Sequence, residues 1–187
     1  MARLLPALLV WTALLALGST PEYDSAKQKI EKISSDEAPR GSTTTLTPAE
    51  VNAYVRGQAA EEAPDGLKEI KVELRQAALT WSGLVNFAKL PALEGLGSNW
   101  LLSRILQGEK PVVIEARLQS AGGKATVDVD SVTISETKFE GRTLDFLVEK
   151  LLASFQPDAK IGEPFDLKHN VEYVRLRPTG IVIKQFD

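Results

Sequence analysis

One pattern limits the folds open to this chain more than any other: stretches in which apolar and polar residues alternate one for one. Ile70, Val72 and Leu74 alternate with Lys71, Glu73 and Arg75. Successive side chains of a strand point to opposite faces, so this reads as a strand buried on one side. After a turn near Arg75 to Ala77, the residues Leu79, Trp81, Val85 and Phe87 share one face of a second strand. Gly83 falls in phase between them, and an inward glycine permits a strong bend. Pro111 opens a further pair. Val112, Ile114, Ala116 and Leu118 face one way, "SAGG" turns the chain, and Ala125, Val127 and Val129 resume the same face. Val132 and Ile134 then take even positions, so a bulge or break is expected between Asp130 and Val132.

Elsewhere the period is helical. "STTTL" suits a short strand and runs into "LTPAEVNAYVRGQAA". Thr47 at the N-cap, Pro48 at N1 and Glu50 at N3 form a capping box, and Val51, Tyr54, Val55 and Ala59 make one apolar face. The helix is expected over Pro48 to Glu61. In "RTLDFLVEKLLASFQP", Thr143 caps a stripe of Leu144, Leu147, Val148, Leu151, Leu152 and Phe155. Phe165 to Phe186 reads as a hairpin turning at Pro178-Thr179-Gly180. The expected class is α+β: a strongly curved antiparallel sheet of hairpins wrapped around or packed on two amphipathic helices, plus a short helix in the middle.

The first 18 residues read as a signal peptide, with Arg3, an apolar run from Leu4 to Leu17 and a small-x-small site at Ala16-Leu17-Gly18. Fourteen apolar residues are short of the ~20 that span a bilayer. Export to a periplasmic or extracellular space is therefore expected, the alternative being a membrane anchor formed by an uncleaved leader. Residues 19–41 are polar and of mixed charge, with Tyr23, Ile30 and Ile33 too few for a core stripe. They read as a solvated spacer with a frayed helix over Ser25 to Ser34, leaving 42–187 as a single domain. The formal charge is −3, and −4 without Arg3. Nucleic acid is not expected as a partner, because phosphate backbones demand a basic stripe. The absence of cysteine excludes disulfides, thiol nucleophiles and thiolate metal sites.

The segment from Leu84 to Leu106 is unusually oily: 13 of its 23 residues are Ala, Val, Leu, Ile, Phe or Trp, and three are charged. Leaving five of the large side chains in water would forgo roughly 7–15 kcal/mol, comparable to the whole net stability of a domain. Ser98 can cap a short helix from Asn99 to Gln107, with Leu101, Leu102, Ile105 and Leu106 on a wide face and Trp100 beside it. Three uses fit: a plug in the domain's own core, the lining or lid of a groove for an apolar ligand, or a contact with membrane or partner. The groove reading takes Leu79, Trp81, Val85 and Phe87 as walls, with Trp100, Leu101 and Ile105 as lid.

Candidates for chemistry are sparse. His169 is the only histidine, and Asp166, Glu163 and Glu172 nearby are as compatible with a solvated hairpin as with an orienting partner. Asp128 and Asp130 share a strand face but lack the ligand run of a calcium loop. No phosphate-binding loop, G-x-S-x-G or H-E-x-x-H pattern occurs. No catalytic residue, metal or cofactor is assigned.

"LTPAEVNAYVR", "RTLDFLVEKLL", "IGEPFDL" and the terminal hairpin resemble a group of exported bacterial proteins of uncharacterised function. The order of elements over 42–187 is also similar to secreted bacterial proteins related to tubular lipid-binding domains. That resemblance implies a long curved sheet around a helix and an apolar groove that takes lipid; it carries no residue-level assignment. The expected function is an exported, non-enzymatic domain binding an apolar or lipid-like ligand. The alternative is a bacterial envelope scaffold or assembly factor that contacts another envelope protein, its oily segment being core.

Overall fold

The structure, a computed structural model, describes residues 20–90, 107–145 and 162–187. Helix α1 (Pro21–Ser34) comes first, capped by the Thr20 hydroxyl, which accepts from the Tyr23 N–H. Strand β1 (Thr43–Leu46) leads into α2 (Pro48–Glu62). The capping box forms as expected: Glu50 N–H donates to the Thr47 hydroxyl, and Thr47 N–H donates to Glu50 Oε2 at 2.7 Å.

Strands β2 (Leu67–Arg75), β3 (Ala78–Asn86), β4 (Glu109–Ala121), β5 (Lys124–Ile134) and β6 (Thr137–Phe139) follow. They line up in that order as one antiparallel sheet, and the two-residue β7 (Phe165–Asp166) adds to β5. The last two strands, β8 (Val171–Arg177) and β9 (Gly180–Gln185), form the terminal hairpin, and β1 joins its outer side. The chain is therefore α+β, as expected, but with two antiparallel sheets in place of one, of orders β2-β3-β4-β5-β6 and β1-β9-β8. The β1–β9 ladder, Thr43 with Lys184 to Leu46 with Ile181, draws the terminal hairpin into its own sheet.

The two sheets are joined through the edge of β8. Ala77 N–H donates to the Leu176 carbonyl, Gly123 N–H to the Glu172 carbonyl, and Val174 N–H to the Ser120 hydroxyl. These three N–H groups, at the hairpin ends of the large sheet and along β8, thereby find partners. At the β2 edge of the large sheet, Asn52 of α2 does the same for Val72, its amide donating to the carbonyl and its oxygen accepting the N–H, both at 2.8 Å.

Residues 20–34, expected as a solvated spacer, are a packed helix. Tyr23, Ala26 and Ile33 of α1 are buried, and Ala26 is 0% exposed. The reason lies in α2: a side chain at Gly57 would overlap the Tyr23 ring, so glycine there lets the aromatic lie against the helix. Tyr23 also stacks on Tyr54 and donates to Glu61 at 2.9 Å.

The slip between Asp130 and Val132 is a β-bulge. Glu115 pairs with Ser131 and Ala116 with Val129, leaving Asp130 as the inserted residue. By leaving that extra residue unpaired, the bulge keeps Val132 and Ile134 on the buried face. Gly122 and Gly123, both at positive φ, close the β4–β5 turn. A second bulge in β2, between Lys68 and Lys71 with Glu69 at φ 52°, has no signature in the alternation pattern. Residues 141–145 are helical and Leu144 is buried; the remainder of the expected second amphipathic helix lies outside the described residues, as does the segment expected as a short central helix up to residue 106.

Candidate functional site

Cross-strand pairing places one row of side chains directly opposite the next on the same face. Val72, Trp81, Ile114 and Val132 form one row across four strands, and Leu74, Leu79, Ala116 and Val129 form the next. This inner face is buried at both ends by different neighbours. At one end Val85, Val112, Val132 and Ile134 pack with Phe87, Leu90 and Leu144. At the other, Val72 and Leu74 pack with Ala26 of α1, Val51 of α2, and Leu46 and Leu176 of the small sheet.

Between the two clusters lie apolar side chains that are only half-buried: Leu79, Trp81, Ile114, Leu118, Val127 and Val129. They sit on three adjacent strands and form a continuous strip. Trp81 packs against both clusters and is the joint between them. Gly83 makes its position possible, because a Cβ there would meet the indole at 3.0 Å and the Lys68 carbonyl at 3.1 Å.

The expected wall residues divide. Leu79 and Trp81 lie on the half-buried strip, whereas Val85 and Phe87 are 4% and 7% exposed within the first cluster. Phe87 belongs to a short 3-10 turn, Phe87–Lys89, just past the end of β3. The expected lid residues Trp100, Leu101 and Ile105 lie outside the described residues. Sequence reasoning placed Ile114, Leu118, Val127 and Val129 on the inner face but did not join them to the groove; the register that does so runs unbroken from the Gly122-Gly123 turn to Val129 and is carried past the Asp130 bulge to the Ile114–Val132 pair.

The polar candidates do not converge. His169 Nδ1 lies 3.4 Å from Asp36 on the surface, on a turn where His169 and Asn170 both have positive φ. Asp130 is bound by Arg117, with Nη2 to Oδ1 at 2.7 Å, and Asp128 pairs across the strand with the same arginine. Among the described residues no group of His, Asp and Glu is arranged to hold a metal ion.

The one strongly perturbed carboxyl among the described residues is structural. Glu50 is 6% exposed at the start of α2. Burial alone would raise its pKa, but hydrogen bonds from Lys29 Nζ at 2.6 Å, the Ser25 hydroxyl at 2.5 Å and the Thr47 N–H outweigh it. Together with the Lys29 charge they hold the group at about 2. Lys29 also donates to the Thr45 carbonyl at 2.9 Å, so one ammonium ties α1 to α2 and to β1. Among the described residues no helix is long and apolar enough to cross a membrane. Comparison with protein-family models, curated proteins and solved structures finds no match to this chain.

Proposed function

We propose that this chain is an exported, non-enzymatic domain that takes up an apolar, lipid-like ligand along the strip centred on Trp81. The observation that carries the reading is the strip itself: six apolar side chains on neighbouring strands, half-buried between two closed clusters. Apolar ligand sites are concave, largely preformed and lined by such side chains with few polar groups. Leu79 and Trp81 supply wall surface on β3, Ile114 and Leu118 on β4, and Val85 and Phe87 the packed floor at one end. In the proposal uptake is burial without bond making; the expected lid residues Trp100, Leu101 and Ile105 lie outside the described residues. The apolar leader directs the chain to the envelope, where such ligands are at hand.

Organic extraction of the purified chain followed by mass spectrometry tests this. One apolar species near one per chain is expected, and its yield falls in the variants Trp81→Ala and Ile114→Ser. Consistently empty extracts from several preparations refute the proposal and leave the oily segment as core, the scaffold alternative.

A further inference from the structure

Most cations on the strands have an acidic neighbour. On the large sheet, Lys68, Lys71, Arg75, Arg117, Lys124 and Lys138 each lie within 3.5 Å of a carboxylate, and Lys110 alone among the described strand cations of that sheet does not. On the small sheet, one face carries Leu46, Ile181 and Leu176 into the core. The opposite face carries Tyr173, Arg175 and Arg177 of β8, Val182 and Lys184 of β9, and Thr45 of β1. Arg175 and Arg177 are exposed, two residues apart on one strand, and neither has a carboxylate in ion-pair range among the described residues. Arg175 instead lies over the Tyr173 ring, 4.0 Å from its centroid. Lys184 donates to the Gly41 carbonyl and lies 3.6 Å from Asp187.

In a chain with 25 acidic and 22 basic residues, an unneutralised arginine pair is a local reversal of sign. Like charges side by side on a strand repel, so the arrangement is favourable only when an anion meets it. Guanidinium groups offer a planar fork that matches phosphate oxygens. Beside them, a tyrosine ring and a valine on the same strand face supply the amphipathic surface that suits the headgroup level of a bilayer.

We infer that this face of the small sheet docks on the phosphate headgroups of an anionic phospholipid surface. Arg175 and Arg177 bind phosphate, the Tyr173 ring backs Arg175, and Val182 rests at the interface. The face lies on the other sheet from the apolar strip, so the inference stands whether or not that strip takes a ligand.

Flotation of the full chain with vesicles tests it, comparing phosphatidylglycerol mixed into phosphatidylcholine with phosphatidylcholine alone. The variant Arg175→Gln/Arg177→Gln carries the same leader, so any leader contribution is common to both proteins. Loss of two interfacial cations is expected to weaken partition onto the anionic vesicles about 30-fold at low salt, with partition onto neutral vesicles unchanged. The variant Arg175→Lys/Arg177→Lys should keep most of the binding, and added salt should abolish the preference. Equal partition of the unaltered chain onto both vesicles overturns the inference, as does full binding by the glutamine variant. Retention on a soluble polyanion such as heparin without any preference for anionic vesicles overturns it in favour of an acidic macromolecule.

Discussion

Replacing Glu50 with Gln should cost the protein about 3 kcal/mol near neutral pH and almost nothing near pH 2. The buried carboxylate is stabilised in the folded state, with its pKa lowered from 4.5 to about 2. A difference of that size, at about 1.36 kcal/mol per unit, corresponds to ~3 kcal/mol. The sign follows from proton uptake. Between about 2 and 4.5 the unfolded chain holds a proton that the folded chain does not, so stability rises with pH across that window. The contribution is complete above about 4.5 and disappears as pH falls towards 2. Glutamine keeps an oxygen for the Thr47 N–H but removes the charge that meets Lys29. Urea unfolding followed by far-UV circular dichroism, at several pH values from about 7 down to about 3, measures the difference between the two proteins. Because every other carboxyl is common to both, the difference isolates this one. A gap of under about 0.5 kcal/mol at neutral pH, or one that stays constant down to about pH 3, would refute the reasoning.

Two further changes, one substitution and one deletion, have outcomes opposite to those expected from sequence rules alone. Gly57→Ala inside α2 would ordinarily stabilise a helix by about 0.5–1 kcal/mol, but the new methyl overlaps the Tyr23 ring. It is expected to destabilise by about 1–3 kcal/mol, read as a lower urea midpoint; a raised midpoint would show that α1 does not pack there. Deleting Asp130 removes the bulge but leaves Ser131 opposite Glu115 and Val132 opposite Ile114, so Val132 and Ile134 stay on the buried face and the loss is confined to the exposed Arg117–Asp130 pair, about 1 kcal/mol or less. A melting temperature lowered by more than about 10 °C would disprove the assigned register.

Local patterns read well wherever the determining residues lie within a few positions of one another. Thr47 and Glu50 are one helical turn apart and fix the start of α2. The alternation in β2 to β5 names the inner face, and the phase change after Asp130 locates the bulge. Helix α1 is hidden because its packing depends on a glycine in another helix: Tyr23 and Ala26 alone do not make a stripe, and nothing near them in sequence announces Gly57. The second sheet is hidden for the same reason, since Thr43 must find Lys184 near the far end of the chain. For the candidate site, Leu79 and Trp81 were legible as inward residues. That they remain half-buried while Val85 and Phe87 do not depends on which elements cover each end of the sheet.

Asn52 has a consequence for the company this molecule keeps. The outermost strand of any open sheet offers its unsatisfied backbone to whatever extended peptide drifts by, and fibrils grow from such invitations. By seating a carboxamide against Val72, α2 occupies the middle of that rim much as a neighbouring strand would. The far rim, β6, is three residues long and carries the Lys138–Glu140 charge pair at its end. One border is met at its middle by a side chain and the other ends in a brief, charged strand, two features that discourage a second copy from adding there.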